Sequence, residues 1–179
     1  MNNLMLDLET LGTRPGCVIL SVGAVFFDPD SDTLGDEFHS IISLFESEDA
    51  GLTTSAETCT WWSKQSVEAK KILSEVTEDT APHPRDVFLA FNGFLGSYGD
   101  PKKVLMWGNG ADFDNVLLLA AYEQVGVPIG WGNYNNRCYR TIKNLRKNIK
   151  LERQGVHHNA LDDAKHQARH LIQLLKDIK

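Results

Sequence analysis

Three of the acidic groups along this 179-residue chain could converge on one site, and two histidines accompany the third of them. The residues are Asp7 and Glu9, Asp112 and Asp114, and His157, His158, Asp162 and Asp163. Carboxylate oxygens are the ligands that Mg²⁺ and Mn²⁺ prefer, and two such ions about 4 Å apart can clamp the attacking and leaving oxygens of a phosphodiester. A nearby histidine can exchange a proton near neutral pH. Phosphodiester hydrolysis is therefore the chemistry available if the three groups meet.

The first acidic pair lies on a predicted strand. Leu4, Leu6 and Leu8 occupy every second position, so Asp7 and Glu9 share the opposite face. An exposed acidic strand would show the same short pattern. The pair therefore indicates a site only together with other residues.

The second acidic pair lies at the start of a helix predicted over 113–125. Aspartate at a helix start often caps free N–H groups, which would explain Asp112 without any catalytic role. The preceding predicted strand, 103–107, leads into Asn109 at the carboxyl edge of the sheet, where open sheets bind ligands. Asn109 and Asp114 are therefore candidates for a site.

The third group precedes and opens a helix predicted over about 159–178. On a helical projection Asp163 lies about 110° from the centre of the apolar arc, whereas Asp162 lies about 150° away. Asp163 can therefore reach a cleft, and Asp162 faces solvent. The two histidines would also suit an ordinary polar loop before a helix.

The remaining pattern predicts a mixed sheet covered by helices. Apolar runs predict strands over 18–27 and 37–44, which complete an antiparallel meander with the first strand. Helices are predicted over 60–75, 84–96 and 140–150, with a polar loop over 130–136. Strands that come first and then alternate with helices indicate an α/β or α+β fold. We find no linker or repeat, so we expect one domain over residues 1–179.

Three segments together resemble a known family. LDLET (6–10), NGADFD (109–114) and HNALDDA (158–164) resemble the three motifs of DEDDh 3′→5′ exonucleases, in the DnaQ-like, ribonuclease H-like superfamily. Their order and spacing fit, and the run WGNGADFDN resembles a small phage and bacterial branch. The resemblance implies an α/β, ribonuclease H-like fold. Its mixed central sheet would begin with an antiparallel meander, continue with parallel strands and be flanked by helices.

The resemblance also implies catalytic roles. Asp7 would bridge two divalent cations, Mg²⁺ or Mn²⁺, while Glu9 and Asp163 hold one of them and Asp114 supports the other. His158 would act as the general base. The reaction would release nucleoside 5′-monophosphates from the 3′ end of a single-stranded nucleic acid, with DNA favoured over RNA.

The register of the last motif is ambiguous by spacing alone. His157 and Asp162 are as far apart as His158 and Asp163. The small residues Ala160 and Ala164 favour the later pair, and the helix-face argument agrees. We therefore expect His158 and Asp163 to be the functional residues.

Further residues are expected to bind the substrate. These candidates are Thr10, Leu11, Gly12, Asn109 and Trp61. By the resemblance, residues 10–12 contact the terminal nucleotide, with Leu11 wedged against its base; an ordinary loop leucine is the alternative. Adjacent aromatics cannot face the same way, so one of Trp61 and Trp62 is expected to be free to stack on a base, although tryptophans are more often core residues.

The charge distribution bears on the partner. The net charge of −6 argues against a polyanion, yet residues 137–153 contain seven basic residues and one acidic residue, or +6. Arg140, Lys143, Lys147 and Lys150 recur at helical spacing and predict a basic stripe. The stripe would contact phosphates or form a solvated face.

The cysteines, the amino terminus and the apolar stretches bear on the cellular location of the protein. The three cysteines are far apart without a CxxC pair, which argues against a disulfide framework or a thiolate zinc site and favours the cytoplasm. The acidic amino terminus lacks signal-peptide features, and the longest apolar stretch, 18–27, is too short to cross a membrane. Small relatives often pair, which leaves a homodimer open.

Two alternatives to a deoxyribonuclease remain. One is a 3′→5′ exoribonuclease acting on RNA or short oligonucleotides, since no residue clearly recognises the 2′-hydroxyl. The other is a catalytically silent nuclease-fold module that binds a partner. Such a module would be expected to lose motif carboxylates, and this chain retains all four and the histidine.

Overall fold

A five-stranded mixed sheet forms the centre of the computed structural model, which describes residues 1–176. The strands are β1 (Asn3–Thr10), β2 (Ile19–Phe27), β3 (Leu34–Ile41), β4 (Leu105–Gly108) and β5 (Asn136–Cys138), in the order β3-β2-β1-β4-β5. The first three strands are antiparallel neighbours, and β4 and β5 run parallel to β1. The predicted fold class is confirmed.

Seven α-helices flank this sheet within the described residues. They are α1 (Leu44–Asp49), α2 (Ala56–Ser63), α3 (Val67–Glu75), α4 (Pro84–Leu95), α5 (Asp114–Val125), α6 (Tyr139–Leu145) and α7 (Ala160–Lys176). None of the helices described over residues 1–176 is long and apolar enough to span a membrane.

The two faces of β1 have different surroundings, as the alternation predicts. Leu4, Leu6 and Leu8 are buried in the larger apolar cluster, to which α4 and α5 contribute. On the other face Met5 packs in a second cluster, with α6 and α7. Asp7 lies on that second face, where Gln167 of α7 contacts its carboxylate.

A close approach between α7 and the sheet positions the acidic residues. Asp7 pairs with Gly23 of β2, and a Cβ atom on Gly23 would collide with the backbone at Ala160 and Leu161. Only a glycine therefore allows the first turn of α7 to lie this close to the sheet. That contact brings Asp163 next to β1.

Two predicted elements differ from the structure at local capping signals, and β5 is a strand that the pattern does not predict. The helix predicted over 60–75 is two helices, because the Ser66 side chain accepts a hydrogen bond from the Ala69 N–H and starts α3. The strand predicted over 37–44 is displaced to Leu34–Ile41, since Ser43 caps α1. The short strand β5 begins at the end of the predicted 130–136 loop.

The basic helix is also shorter than predicted. α6 ends at Leu145, so Lys147 and Lys150 do not continue a helical stripe. His170 donates from Nε2 to the Ile149 carbonyl at 3.0 Å, and this tertiary contact holds the segment against α7 outside a helix. The final helix matches its prediction up to residue 176, and residues 177–178 of that prediction lie outside the described range.

Candidate active site

A cavity of about 460 Å³ opens where β1, α2, the loop after β4 and the start of α7 meet. Most of the predicted site residues line it: Asp7, Glu9, Thr10, Trp61, Asn109, His158 and Asp163. The structure therefore brings residues from all three sequence motifs to one place.

Three carboxylates form the centre of this cavity. One oxygen each from Asp7, Glu9 and Asp163 lies within 4.8 Å of the others. Glu9 is 6% exposed, and the Asp163 side chain is 13% exposed. A close, largely buried set of oxygen donors fits a hard divalent cation such as Mg²⁺ or Mn²⁺.

Asp114 stands behind this group, at the first residue of α5, and is 1% exposed. Its Oδ1 accepts from the Leu8 N–H at 3.2 Å, and its Oδ2 accepts from the Asn109 N–H at 2.6 Å. These backbone donors fix the carboxylate beside β1 and β4. Asp112, the alternative helix cap, is exposed, and Phe113 precedes the helix without a side-chain cap.

Three of the buried carboxylates have pKa values above their usual range. Burial raises the pKa of Asp7 well above its usual value, and the charges of Asp114, Glu9 and Asp163 raise it further. Burial and the charges of Asp163 and Asp114 raise the pKa of Glu9 to about 8. Burial raises the pKa of Asp114 to about 6, against hydrogen bonds that lower it. A bound cation would therefore favour the ionised forms of Asp7, Glu9 and Asp114.

An arginine that the sequence analysis did not assign to the site contacts one of these carboxylates. Arg153 donates from Nη1 to Asp163 Oδ1 at 2.7 Å and from Nη2 to the Val156 carbonyl at 3.0 Å. In the sequence, Arg153 is one of the seven basic residues of 137–153. No spacing signal distinguishes it, because a loop brings it to the site.

A glutamine was also missed. Gln167 donates from Nε2 to Asp7 Oδ1 at 2.6 Å and lines the cavity. Its Oε1 is buried and has no hydrogen-bond partner among the described residues. Gln167 lies four residues after Asp163 on α7, so the i, i+4 spacing could have identified it as a neighbour on the same helix face.

The two histidines both reach the cavity. One ring nitrogen each from His157 and His158 and one Asp163 oxygen lie within 4.8 Å of one another. His158 has a left-handed φ of 62°, and its backbone N–H donates to Asp163 Oδ2 at 2.9 Å. Burial, followed by the charge of His157, lowers the pKa of His158. His157 is exposed, whereas His158 is half-buried.

The two aspartates of α7 have different environments. Asp163 faces the carboxylates of β1. Asp162 instead accepts from the Val156 N–H at 2.8 Å through Oδ2 and so holds the loop before the helix. The expectation that Asp162 simply faces solvent is wrong, because the preceding loop folds back over it.

The tryptophan pair divides between cavity and core. Trp61 is 43% exposed, and its ring meets that of His158 edge-on at 4.8 Å between centroids. Trp62 is 1% exposed and donates from Nε1 to the Thr10 carbonyl at 2.9 Å. Trp61 is therefore the member of the pair with a free surface at the cavity.

Residues 10–12 differ in whether they line the cavity. Thr10 lines the cavity, but neither Leu11 nor Gly12 does. Leu11 is 5% exposed and packs in the larger core cluster. A Cβ atom on Gly12 would meet Cys17 Cβ at 2.6 Å, so tight packing of the turn explains the glycine. The predicted packing of Leu11 against the terminal base is not supported by its position, because Leu11 does not line the cavity.

Comparison with known proteins agrees with the geometry. The model of the family described as "3′-5′ exoribonuclease Rv2179c-like domain" matches residues 2–175. The chain is 25% identical over 127 residues to an exodeoxyribonuclease of enterobacteria phage T4. That match covers 66% of this chain and 55% of the phage protein, so the chain spans about half the length of that relative.

Solved structures share the fold. The nuclease domain of 3′hExo, a DEDDh family member bound to rAMP, aligns with a TM-score of 0.67 at 14% identity, over 98% of this chain and 92% of that one. Escherichia coli exonuclease I in complex with a dT13 oligonucleotide aligns with a TM-score of 0.62 at 12% identity, over 99% and 41% of the two chains. These likenesses confirm the ribonuclease H-like fold expected from the motifs. By its match over residues 2–175, the chain belongs to the 3′-5′ exoribonuclease Rv2179c-like family.

Proposed function

We propose that the chain, as one domain over residues 1–179, is a metal-dependent 3′→5′ exonuclease that releases nucleoside 5′-monophosphates. The observation that carries this proposal is the close group of Asp7, Glu9 and Asp163 oxygens beside His158 in one cavity. Retention of every motif carboxylate argues against a catalytically silent binding module.

The donor set suits two divalent cations, Mg²⁺ or Mn²⁺, held by Asp7, Glu9, Asp163 and Asp114. When bound, such cations would neutralise the carboxylates and stabilise charge on the attacking and leaving oxygens. The raised pKa values of Asp7 and Glu9 support this, because a cation at the centre would return both groups to the ionised form.

His158 is proposed as the general base. The lowered pKa keeps its imidazole neutral, and therefore able to accept a proton, near neutral pH. The attacking water gives that proton to His158 as its oxygen bonds to phosphorus, and the bond from phosphorus to the 3′ oxygen breaks. The shortened strand keeps the 3′ oxygen, which takes up a proton, and the nucleotide leaves as a 5′-monophosphate.

The proposed substrate contacts follow from exposure at the cavity. Trp61 offers a free ring face on which the terminal base can stack. Thr10 and Asn109 offer polar groups in the same wall. Leu11 and Gly12 lie outside that wall, and their contact with the nucleotide stays a prediction.

The substrate class has two candidates. DNA is the substrate expected from the sequence, and the phage relative is an exodeoxyribonuclease. The description of the matching family favours RNA. We propose single-stranded 3′ ends as the shared substrate, and both nucleic acids belong in the same assay.

The test uses oligonucleotides labelled at either end. Purified protein is incubated with 5′-labelled and 3′-labelled DNA and RNA in Mg²⁺, Mn²⁺ or EDTA. We expect a ladder from the 5′ label, immediate mononucleotide release from the 3′ label, and no reaction in EDTA. A mononucleotide released first from the 5′ label, or full activity in EDTA, would contradict the proposal.

The assembly state and location are separate proposals. A homodimer is tested by light scattering on the purified protein, where a mass near 20.0 kDa would indicate a monomer instead. A cytoplasmic location follows only from the cysteine usage and stays a prediction.

A further inference from the structure

The basic segment 137–153 begins and ends at the cavity. Near one end Arg140 donates from Nε to Asn109 Oδ1 at 3.4 Å. At the other end Arg153 donates to Asp163 Oδ1 at 2.7 Å. Asn109 and Asp163 both line the catalytic cavity. The segment is therefore a border of the site and not a remote charged face.

Two isoleucines and a tyrosine of this segment hold it against α7. Ile142 and Ile149 pack on the second core cluster. The Tyr139 hydroxyl donates to His170 Nδ1 at 2.7 Å, because His170 uses its Nε2–H for the Ile149 carbonyl. These contacts fix the segment on both sides of the break after α6. The exposed lysines between them therefore have a defined position.

Four exposed basic residues of this segment have no acidic ion-pair partner within residues 1–176. We use the name basic surface for the exposed residues Arg140, Lys143, Lys147 and Lys150. Over residues 1–176, none of these four side chains forms an ion pair with an acidic residue. Elsewhere, Lys165 pairs with Glu37, and Lys176 pairs with Asp32.

Charges of one sign imply an external partner of the other sign. An ordinary solvated face mixes both signs, and this chain is acidic outside the segment, with −6 overall against +6 within residues 137–153. A polyanion that starts in the carboxylate cavity would be repelled by most of the molecular surface but attracted along the basic surface. Continuity with the cavity favours a strand whose end lies in that cavity.

We propose that the basic surface binds the phosphates of a single-stranded nucleic acid upstream of its 3′-terminal nucleotide. This inference rests on the proposed function, because that function places the 3′ end among the carboxylates. The strand leaves the cavity beside Asn109 and Arg140 and continues over Lys143, Lys147 and Lys150. Substrates too short to leave the cavity do not use the surface.

The test measures binding without hydrolysis. Fluorescence anisotropy of a 12-nucleotide strand in EDTA is followed over a range of salt concentrations, for the wild type and for a variant with Lys143→Gln, Lys147→Gln and Lys150→Gln. The slope of log K against log salt is negative, and each lost phosphate contact reduces its magnitude by about 0.7 for a single strand, so we expect the magnitude to fall by about 2.

The matched control removes the same charge elsewhere. Lys64→Gln, Lys71→Gln and Lys103→Gln change exposed lysines outside residues 137–153. We expect the slope of this control to stay at the wild-type value. An unchanged slope in the first variant, or an equal decrease in both variants, would overturn the inference.

A dinucleotide separates this inference from the proposed function. In Mg²⁺ we expect the first variant to hydrolyse a dinucleotide within twofold of the wild-type rate, while binding of the 12-nucleotide strand weakens. If strand binding depends on the three lysines but the wild type hydrolyses no substrate, phosphate binding by the basic surface would be supported and the proposed exonuclease activity would be contradicted. Equal decreases in the rate of dinucleotide hydrolysis and in the affinity for the 12-nucleotide strand would contradict phosphate binding by the basic surface.

Discussion

Gln167 Nε2 lies 2.6 Å from Asp7 Oδ1, across 160 residues of chain. The contact joins α7 to β1 at the centre of the cavity. It lies one helical turn beyond Asp163, so one helix face supplies a carboxylate and orients another. Partners that orient a metal-binding carboxylate are important to its function, and Gln167 has the geometry of such a partner.

Replacing Gln167 tests this orienting role. Gln167→Leu removes the donor to Asp7 at similar volume, and losses of this kind cost roughly 10–100-fold in metal affinity or activity. Mg²⁺ affinity is measured by calorimetry and the rate by mononucleotide release. Gln124→Leu is the control, because the Gln124 side chain donates to the Ala50 carbonyl at 2.8 Å and does not line the cavity. Equal activity in the two variants would show that the Asp7 contact has no role.

Adjacent aspartates provide a matched pair. Asp163→Asn removes a charge from the close carboxylate group, and we expect a loss greater than the roughly 100-fold upper range for an indirect contact. Asp162→Asn keeps an oxygen that can accept from Val156, and we expect nearly wild-type activity. Mononucleotide release at saturating Mg²⁺ is compared. If Asp162→Asn lowered the activity more than Asp163→Asn, Asp162 would be the functional aspartate instead.

The two histidines allow a similar comparison. His158→Ala should lower the maximal rate by roughly 10²–10⁴-fold, the usual contribution of a general base. His157→Ala should have a much smaller effect, since His157 is exposed. Because both rings reach the cavity, the pH–rate profile is needed as well as the rate. The acidic limb should disappear only in His158→Ala, and its loss in His157→Ala would reassign the base.

The carboxylates predict how pH acts on stability. The folded pKa of Glu9, about 8, lies above the usual value near 4.5, so the protonated form favours folding. In metal-free buffer this contribution is complete below about pH 4.5 and is lost as the pH rises through 8. Mg²⁺ binds the ionised groups, so the increase in Tm with Mg²⁺ should grow between pH 6 and pH 9. Thermal denaturation with Mg²⁺ or EDTA checks this, and an increase that does not change with pH would contradict it.

Much of the site could be predicted because its residues are fixed by regular elements. The alternation of apolar and acidic residues predicts that Asp7 and Glu9 lie on one face of β1. The helical projection predicts that Asp163, and not Asp162, reaches the cleft. Both arguments need only the geometry of one strand or one helix.

Residues brought in by loops and tertiary contacts could not be predicted in this way. Arg153 reaches Asp163 through an irregular segment that precedes α7. α6 ends early because His170 holds Ile149, a contact between segments that no local propensity encodes. Leu11 follows a motif strand, but its side chain turns to the core.

Asp7→Asn is the most direct test of the central claim that these carboxylates form a metal-dependent hydrolytic site. Burial and neighbouring charges favour neutral Asp7, so the amide should leave the metal-free Tm unchanged or higher. Release of nucleoside 5′-monophosphates from a 3′-labelled strand in Mg²⁺ is measured for the wild type and Asp7→Asn, with Tm recorded for both. We predict that the variant is folded and inactive. A folded Asp7→Asn protein with wild-type activity would contradict the account.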